Sequence, residues 1–292
     1  MMANSREPWV PTSTYMRANH AYEEADKLDA CCTDHIIYRH RTEGKVVLLP
    51  AYCGSRWCPI CGKIQRARAE ATVENILATY NNNLLRFVTI TQVARRKESL
   101  EDAMIRLQAN WQKLRRSKFW LSKVRGAYVR LETIWNPVER WWHVHLHILV
   151  LTGWLPKYEL SALWHRITKD SYITDVRPID QNAKYELSKY LSKFDVGPSM
   201  PIRELVEAWR GKRSYDLYGC FRNNEAVNHL TKEGPHWERV GSISRFCADL
   251  KTSDMTQATI DICRTIRGAP PLYFSLRPDQ QYLIGVFATL VV

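Results

Sequence analysis

"GAYVRLETIWNPVERWWHVHLHILVL", residues 126–151, reads as two β-rich runs joined by a turn. Side chains alternate between the two faces of a strand, so His143, His145 and His147 share one face. Val144, Leu146, Ile148 and Val150 then share the other face and suit a core. The first run alternates well enough to be a strand, and the turn makes the pair antiparallel. If Trp135 pairs with Trp142 across the turn, the register sets Glu132 opposite His145. Directly opposed residues share a face, with β-carbons roughly 5 Å apart. A carboxylate beside two imidazoles is a donor set for a divalent metal with open positions. A slip of one residue would send Glu132 to the other face.

Working outward, Lys63 to Tyr80 has helical composition and ends at "NNN", and "LLRFVTITQV" (84–93) reads as a strand. Apolar residues at 100, 103, 104, 107, 111 and 114 predict an amphipathic helix from Glu98 to Leu114. "KYELSALWHRIT" (157–168) reads as a helix, "YITDVRPI" (172–179) as a strand and "AKYELSKYLSKF" (183–194) as a helix. "PIRELVEAWRG" (201–211) adds a helix and "SYDLYGCF" (214–221) a strand-like run. The tail beyond shows no clear organisation, although the apolar "YLIGVFATLVV" (282–292) reads as a buried terminal strand. Helices and strands around an antiparallel hairpin predict an α+β fold, a central antiparallel sheet flanked by helices. The expected domains are an N-terminal extension (1–30), a small zinc-binding module and helix (31–80), a core (81–222) and a C-terminal segment without an assigned role (223–292).

The 292 residues suffice for one large domain or two modest ones, and 45% hydrophobic with 25% charged residues is ordinary for a soluble protein. No run approaches the ~18 apolar residues of a membrane span, and the N-terminus lacks a basic region followed by an apolar core. The expectation is a cytoplasmic protein without a membrane partner. Net charge is +12, with basic runs "KIQRARAE", "VARRK", "KLRRSK" and "WRGKRSY". One such run is an ordinary solvated face, but several on one chain favour a polyanion, and nucleic acid is the usual one. Eleven tryptophans and fourteen tyrosines add stacking surface for unpaired bases.

"YCGSRWCPICGK" (52–63) spaces Cys53, Cys58 and Cys61 as C-x4-C-x2-C, a knuckle that directs thiolates inward and suits tetrahedral zinc. A structural site needs a fourth ligand, and Cys32 or its neighbour Cys31 is the candidate, in "DACCTDHIIYRH". Cys220, Cys247 and Cys263 lack such spacing and read as small buried hydrophobes. On the helix at 183–194, Glu186 and Tyr190 stand only about 40° apart, bordered by Lys189 and Lys193. Tyr185 lies roughly 140° from Tyr190, so the two tyrosines do not readily serve one site. Tyr190 also edges the apolar stripe of Ala183, Leu187, Leu191 and Phe194, where it could be a core-edge aromatic.

A His–hydrophobic–His strand followed by a helix carrying Tyr-x-x-Lys resembles the HUH endonuclease superfamily. "CGSRWCPIC", "RLETIWN…WWHVHLHILV", "LWHRIT…DVRPI" and "KYLSK", in this order, look like the rolling-circle replication initiators of small plasmids, over about residues 50 to 222. The resemblance implies a metal site on the sheet surface, with His145, His147 and Glu132 as ligands of Mg²⁺ or Mn²⁺. It implies Tyr190 as nucleophile, forming a 5′-phosphotyrosine link and a free 3′-hydroxyl, with Lys193 beside it and Glu186 activating water in the closing step. His143 stands where the family requires no histidine. The implied partners are single-stranded or hairpin origin DNA, with host polymerase and helicase, and Zn²⁺ is the structural ion. A transposase or relaxase of the same superfamily would share this chemistry on different DNA. A non-catalytic zinc-containing DNA-binding regulator would bind without cleavage.

Overall fold

The computed structural model describes residues 12–179, 199–213, 215–224, 236–251, 256–269 and 276–289. Among them, eight strands build two sheets: β1 His35–His40, β2 Val46–Pro50, β3 Leu85–Thr91, β4 Gly126–Asn136, β5 Trp141–Leu151, β6 Thr174–Pro178, β7 Tyr215–Gly219 and β8 Trp237–Ser242. The chain divides into two units, one of Met1–Ala25 with Ser55–Thr231 and one of Asp26–Gly54 with Lys232–Val292. Both carry an antiparallel sheet with helices against it, the α+β architecture expected. No helix among the described residues is long and apolar enough to cross a membrane.

The first unit holds the five-stranded sheet, in the order β6-β3-β5-β4-β7, with every pairing antiparallel. On one face Val88, Ile90, Val129, Val144, Leu146, Ile148 and Val150 pack against three helices. These are Leu100–Arg115, bringing Met104, Leu107 and Trp111; Lys157–Thr168, bringing Leu160 and Trp164; and Ile202–Trp209, bringing Leu205 and Trp209. Full burial of each large aliphatic or aromatic side chain contributes about 1.5–3 kcal/mol, so this layer supplies much of the unit's stability. Local chemistry sets the helix ends. Ser99 caps the first by accepting from the Asp102 N–H, and Lys169 closes the second in the left-handed region at φ 72°. Trp164 is fully buried, and its indole N–H is satisfied by the Thr91 carbonyl at 2.9 Å.

On the opposite face Leu85, Phe87, Tyr128, Leu149 and Leu151 pack with Phe221 and with Val73 and Ile76 of the helix Pro59–Thr79. That helix starts four residues ahead of the expected Lys63, because Pro59 takes the first helical turn, where its missing N–H costs nothing. Lys118–Lys123 forms a short helix that the periodicity did not reveal. The strand-like run at 214–221 ends at Gly219, and Cys220–Asn223 turns into a helix.

In the second unit β1 is the central strand, with β2 and β8 on its two sides. Ile37, Val46 and Leu48 pack with Ile243 and Cys247 of the helix Ile243–Asp249, and with Ile262, Cys263 and Ile266 of Gln257–Arg267. The tail therefore completes a sheet that starts near residue 35. Cys247 and Cys263 are buried, as expected for small hydrophobes, and burial raises their thiols to about 11 and about 12. The expected terminal strand is instead the helix Pro278–Ala288. Pro278 begins it, the Gln280 side chain accepts from the Arg277 N–H at 3.2 Å, and Gln280, Ile284 and Ala288 are buried at four-residue spacing. This capping and periodicity outweigh the β-branched composition. The helix expected at 183–194, with Tyr185, Glu186, Lys189, Tyr190 and Lys193, lies outside the described residues.

Candidate active site

The β4–β5 hairpin is in continuous register from Asn136 opposite Trp141 to Gly126 opposite Leu151. Trp135 faces Trp142 with ring centroids 5.0 Å apart, and Glu132 faces His145, as the tryptophan pairing predicts. β3 lies on the other side of β5, with Thr91 opposite His145 and Thr89 opposite His147. The sheet thus gathers Glu132, His145 and His147 from two strands onto one face, next to the half of that face packed under the helix Pro59–Thr79.

One oxygen, Glu132 Oε2, meets both imidazoles: His147 Nε2 at 2.7 Å, and His145 Nε2 in a close contact. The two rings stand nearly perpendicular, with centroids 4.8 Å apart. The other oxygen, Oε1, is buried with no hydrogen-bond partner among the described residues, and Glu132 is only 7% exposed. Burial acts to raise the Glu132 carboxyl, but hydrogen bonds and charge from the two histidines outweigh it and hold the group at about 2. It is an ionised carboxylate at any ordinary pH.

This donor set fits a divalent ion. Two imidazole nitrogens and a carboxylate have ligand atoms within 4.8 Å of one another, and the partnerless buried oxygen is the kind of atom a cation satisfies. Neighbouring side chains fix the donors. Thr89 Oγ1 lies 3.3 Å from His147 Nδ1, and the Phe87 ring stacks on the same imidazole at 5.5 Å. The Arg177 guanidinium, on β6, in turn lies 4.7 Å from the Phe87 ring.

His143 shares the face but stands outside this group. The Trp141 indole N–H donates to His143 Nε2 at 3.0 Å, and burial, then the charge of His145, lowers its pKa. The sequence reading missed two residues of the face. Arg130, 2% exposed, stands opposite His147. Its signal was present, because the register that sets Glu132 opposite His145 also sets Arg130 beside His147. Thr89 left no such signal, since nothing in the sequence says which strand flanks β5.

The expected zinc ligands fall in both units, Cys58 and Cys61 in the first and Cys53 with Cys31 and Cys32 in the second. Cys58 caps the helix Pro59–Thr79 and Cys61 sits in its first turn. In the second unit the Cys31 and Cys32 sulfurs lie 3.6 Å apart, and Cys32 is held in the left-handed region at φ 63° with its N–H on the Ala51 carbonyl at 3.0 Å. Four thiolates form a closed set of the kind that holds structural zinc.

Comparison with known proteins adds three findings. The sequence profile of a family described as "Replication protein" matches residues 45–245. A protein from Staphylococcus aureus named "Protein rep" is 26% identical over 189 residues, which is 58% of this chain and 82% of that protein. No solved structure matches.

Proposed function

This chain belongs to the replication protein family, and from that premise we propose that it initiates rolling-circle replication of a plasmid by nicking DNA at its origin. The observation that supports the nicking step is the Glu132 carboxylate, which meets His145 and His147 through one oxygen and leaves the other without a partner among the described residues. Mg²⁺ or Mn²⁺ held by Glu132, His145 and His147 would supply positive charge to polarise the scissile phosphate.

Tyr190 is the proposed nucleophile. Its phenol oxygen attacks phosphorus, the bond to the 3′-oxygen breaks, and the phenol proton ends on that oxygen. The products are a 5′-phosphotyrosine and a 3′-hydroxyl that a polymerase can extend. A phenol has a pKa near ~10, so Lys193 is assigned to favour the phenolate or neutralise the phosphate. Because the phosphodiester is exchanged for a phosphotyrosine, rejoining needs no nucleotide cofactor. Glu186, one turn before Tyr190 if this segment is helical, activates water to release the protein in the closing step. Zn²⁺ on Cys31, Cys53, Cys58 and Cys61 is assigned a structural role. Host polymerase and helicase are the proposed further partners.

The test is incubation of the protein with a labelled single-stranded oligonucleotide library and Mn²⁺, followed by denaturing electrophoresis and mass spectrometry. The expected result is a covalent adduct on Tyr190 that disappears with Tyr190→Phe and with EDTA. An adduct on Tyr185 would reassign the nucleophile. Tight DNA binding with no adduct under any metal would sink the nicking reading.

A further inference from the structure

The face that carries the metal group continues beyond it toward the hairpin turn. His143 is the next same-face residue after His145, about 7 Å along β5, and Trp141 follows by the same step. Opposite them on β4 stand Ile134 and Asn136, and the Ile134 side chain is 44% exposed. Along β5 this face passes from buried His147 to half-buried His145, His143 and Trp141, and Ile134, opposite His143, is exposed. An aromatic and apolar strip thus reaches solvent directly beside the donors of the metal group.

The contact between Trp141 and His143 is specific. An indole N–H can only donate, so His143 Nε2 is the acceptor and the imidazole proton sits on Nδ1. This engages Nε2 away from Glu132 and leaves an N–H donor on the opposite side of the ring. The ring planes stand at 78° with centroids 6.3 Å apart, so neither ring stacks on the face of the other. The strip therefore combines a stacking surface with a fixed donor on a chain of net charge +12. That is the chemistry of a groove for unpaired nucleic acid, where bases stack on aromatic rings and polar groups hold the backbone.

We propose that Trp141 and His143 form a subsite for one unpaired nucleotide of the DNA strand, next to the phosphate at the Glu132–His145–His147 group. The Trp141 ring stacks on the base, and His143 Nδ1–H donates to the strand. The subsite rests on the reading of that group as a DNA site, but it concerns binding and does not require that the strand be cut.

The test is fluorescence anisotropy of the full chain with a labelled twelve-nucleotide thymidine oligomer and with an abasic chain of equal length, both with Mn²⁺ and with EDTA. Trp141→Ala is expected to weaken the thymidine oligomer about tenfold and the abasic chain less than twofold. Trp141→Phe, which keeps a stacking ring, should retain most of the preference and guards against a folding defect. His143→Ala is expected to weaken both chains while leaving Mn²⁺ affinity, measured calorimetrically, unchanged. Equal losses on both DNAs for Trp141→Ala, or no loss on either, would overturn the stacking role. A large fall in Mn²⁺ affinity for His143→Ala would make His143 a metal ligand and overturn its role here. These ratios are read from binding alone, so they remain informative if no covalent adduct forms.

Discussion

The hydroxyl of Thr89 lies 3.3 Å from Nδ1 of His147, whose other ring nitrogen meets Glu132. In the metal-free protein Nε2–H donates to the ionised carboxylate, whereas a metal on Nε2 would need its lone pair, and the ring proton would then sit on Nδ1 and be donated to this hydroxyl. Outer partners of this kind set the tautomer and orientation of metal-binding histidines, and losing one typically costs 10- to 100-fold in affinity. Thr89→Val preserves shape and removes the acceptor. It should weaken Mn²⁺ binding about tenfold by calorimetry, with the melting temperature of the metal-free protein little changed. Affinity equal to that of the parent would show that the hydroxyl does not orient His147.

The Glu132 carboxyl, held at about 2, links the site to stability. Its folded value lies below the ~4.3 of an unfolded glutamate, so the stability it contributes is present above pH ~4.3 and lost as pH falls toward 2. In EDTA, the parent should lose roughly 2 kcal/mol more than Glu132→Gln between pH 5 and pH 3. Urea titrations at each pH read this difference. Parallel pH profiles for the two proteins would show that His145 and His147 do not hold the carboxylate in its ionised form.

The hairpin was legible because its information is local. An aromatic pair next to a turn sets the register, and the register carries Glu132 to His145. Non-local pairing leaves no such mark. Nothing in β3 announces that Thr89 will flank His147, and nothing in "HIIYRH" announces a third strand beginning at Trp237. That pairing joins residues such as Arg39 and Glu238, 199 positions apart and hydrogen-bonded at 2.7 Å. The terminal segment differs for another reason: an apolar run from Tyr282 suits a buried strand, but Pro278 and the four-residue spacing of Gln280, Ile284 and Ala288 make it a helix. Arg130 is located by the same register as Glu132, but an arginine is not a metal-ligand type and so does not stand out beside the histidines.

The cysteine group discriminates between adjacent residues. The proposed zinc set takes Cys31 as its fourth ligand in place of the neighbouring Cys32. Cys31→Ser should lose bound zinc, read by a colorimetric chelator, and lower the melting temperature, because a closed four-ligand site contributes directly to folding. Cys32→Ser should keep its zinc. Cys58→Ser should weaken stability or origin binding before it touches covalent chemistry. Stoichiometric zinc in Cys31→Ser, or none in the parent, would remove the structural-zinc assignment.

Gly219 ends β7, the strand that pairs with β4 from Gly126 to Arg130. Its φ of 58° with ψ of −140° lies in a region that side chains avoid, and a β-carbon there would stand 2.1 Å from the Arg125 carbonyl oxygen. Backbone cannot move aside as a flexible side chain can, so an added methyl must displace the end of β7 from β4. Backbone strain of this kind costs of order 1–3 kcal/mol before any clash is counted. Gly219→Ala should therefore lose at least about 2 kcal/mol by urea denaturation. Because β4 also carries Arg130 and Glu132, folded Gly219→Ala should bind Mn²⁺ more weakly, whereas an alanine at an exposed position such as Lys113→Ala should change neither quantity. Unaltered stability in Gly219→Ala would mean that the β7–β4 junction does not require a glycine and that the close approach to Arg125 is relieved at no cost.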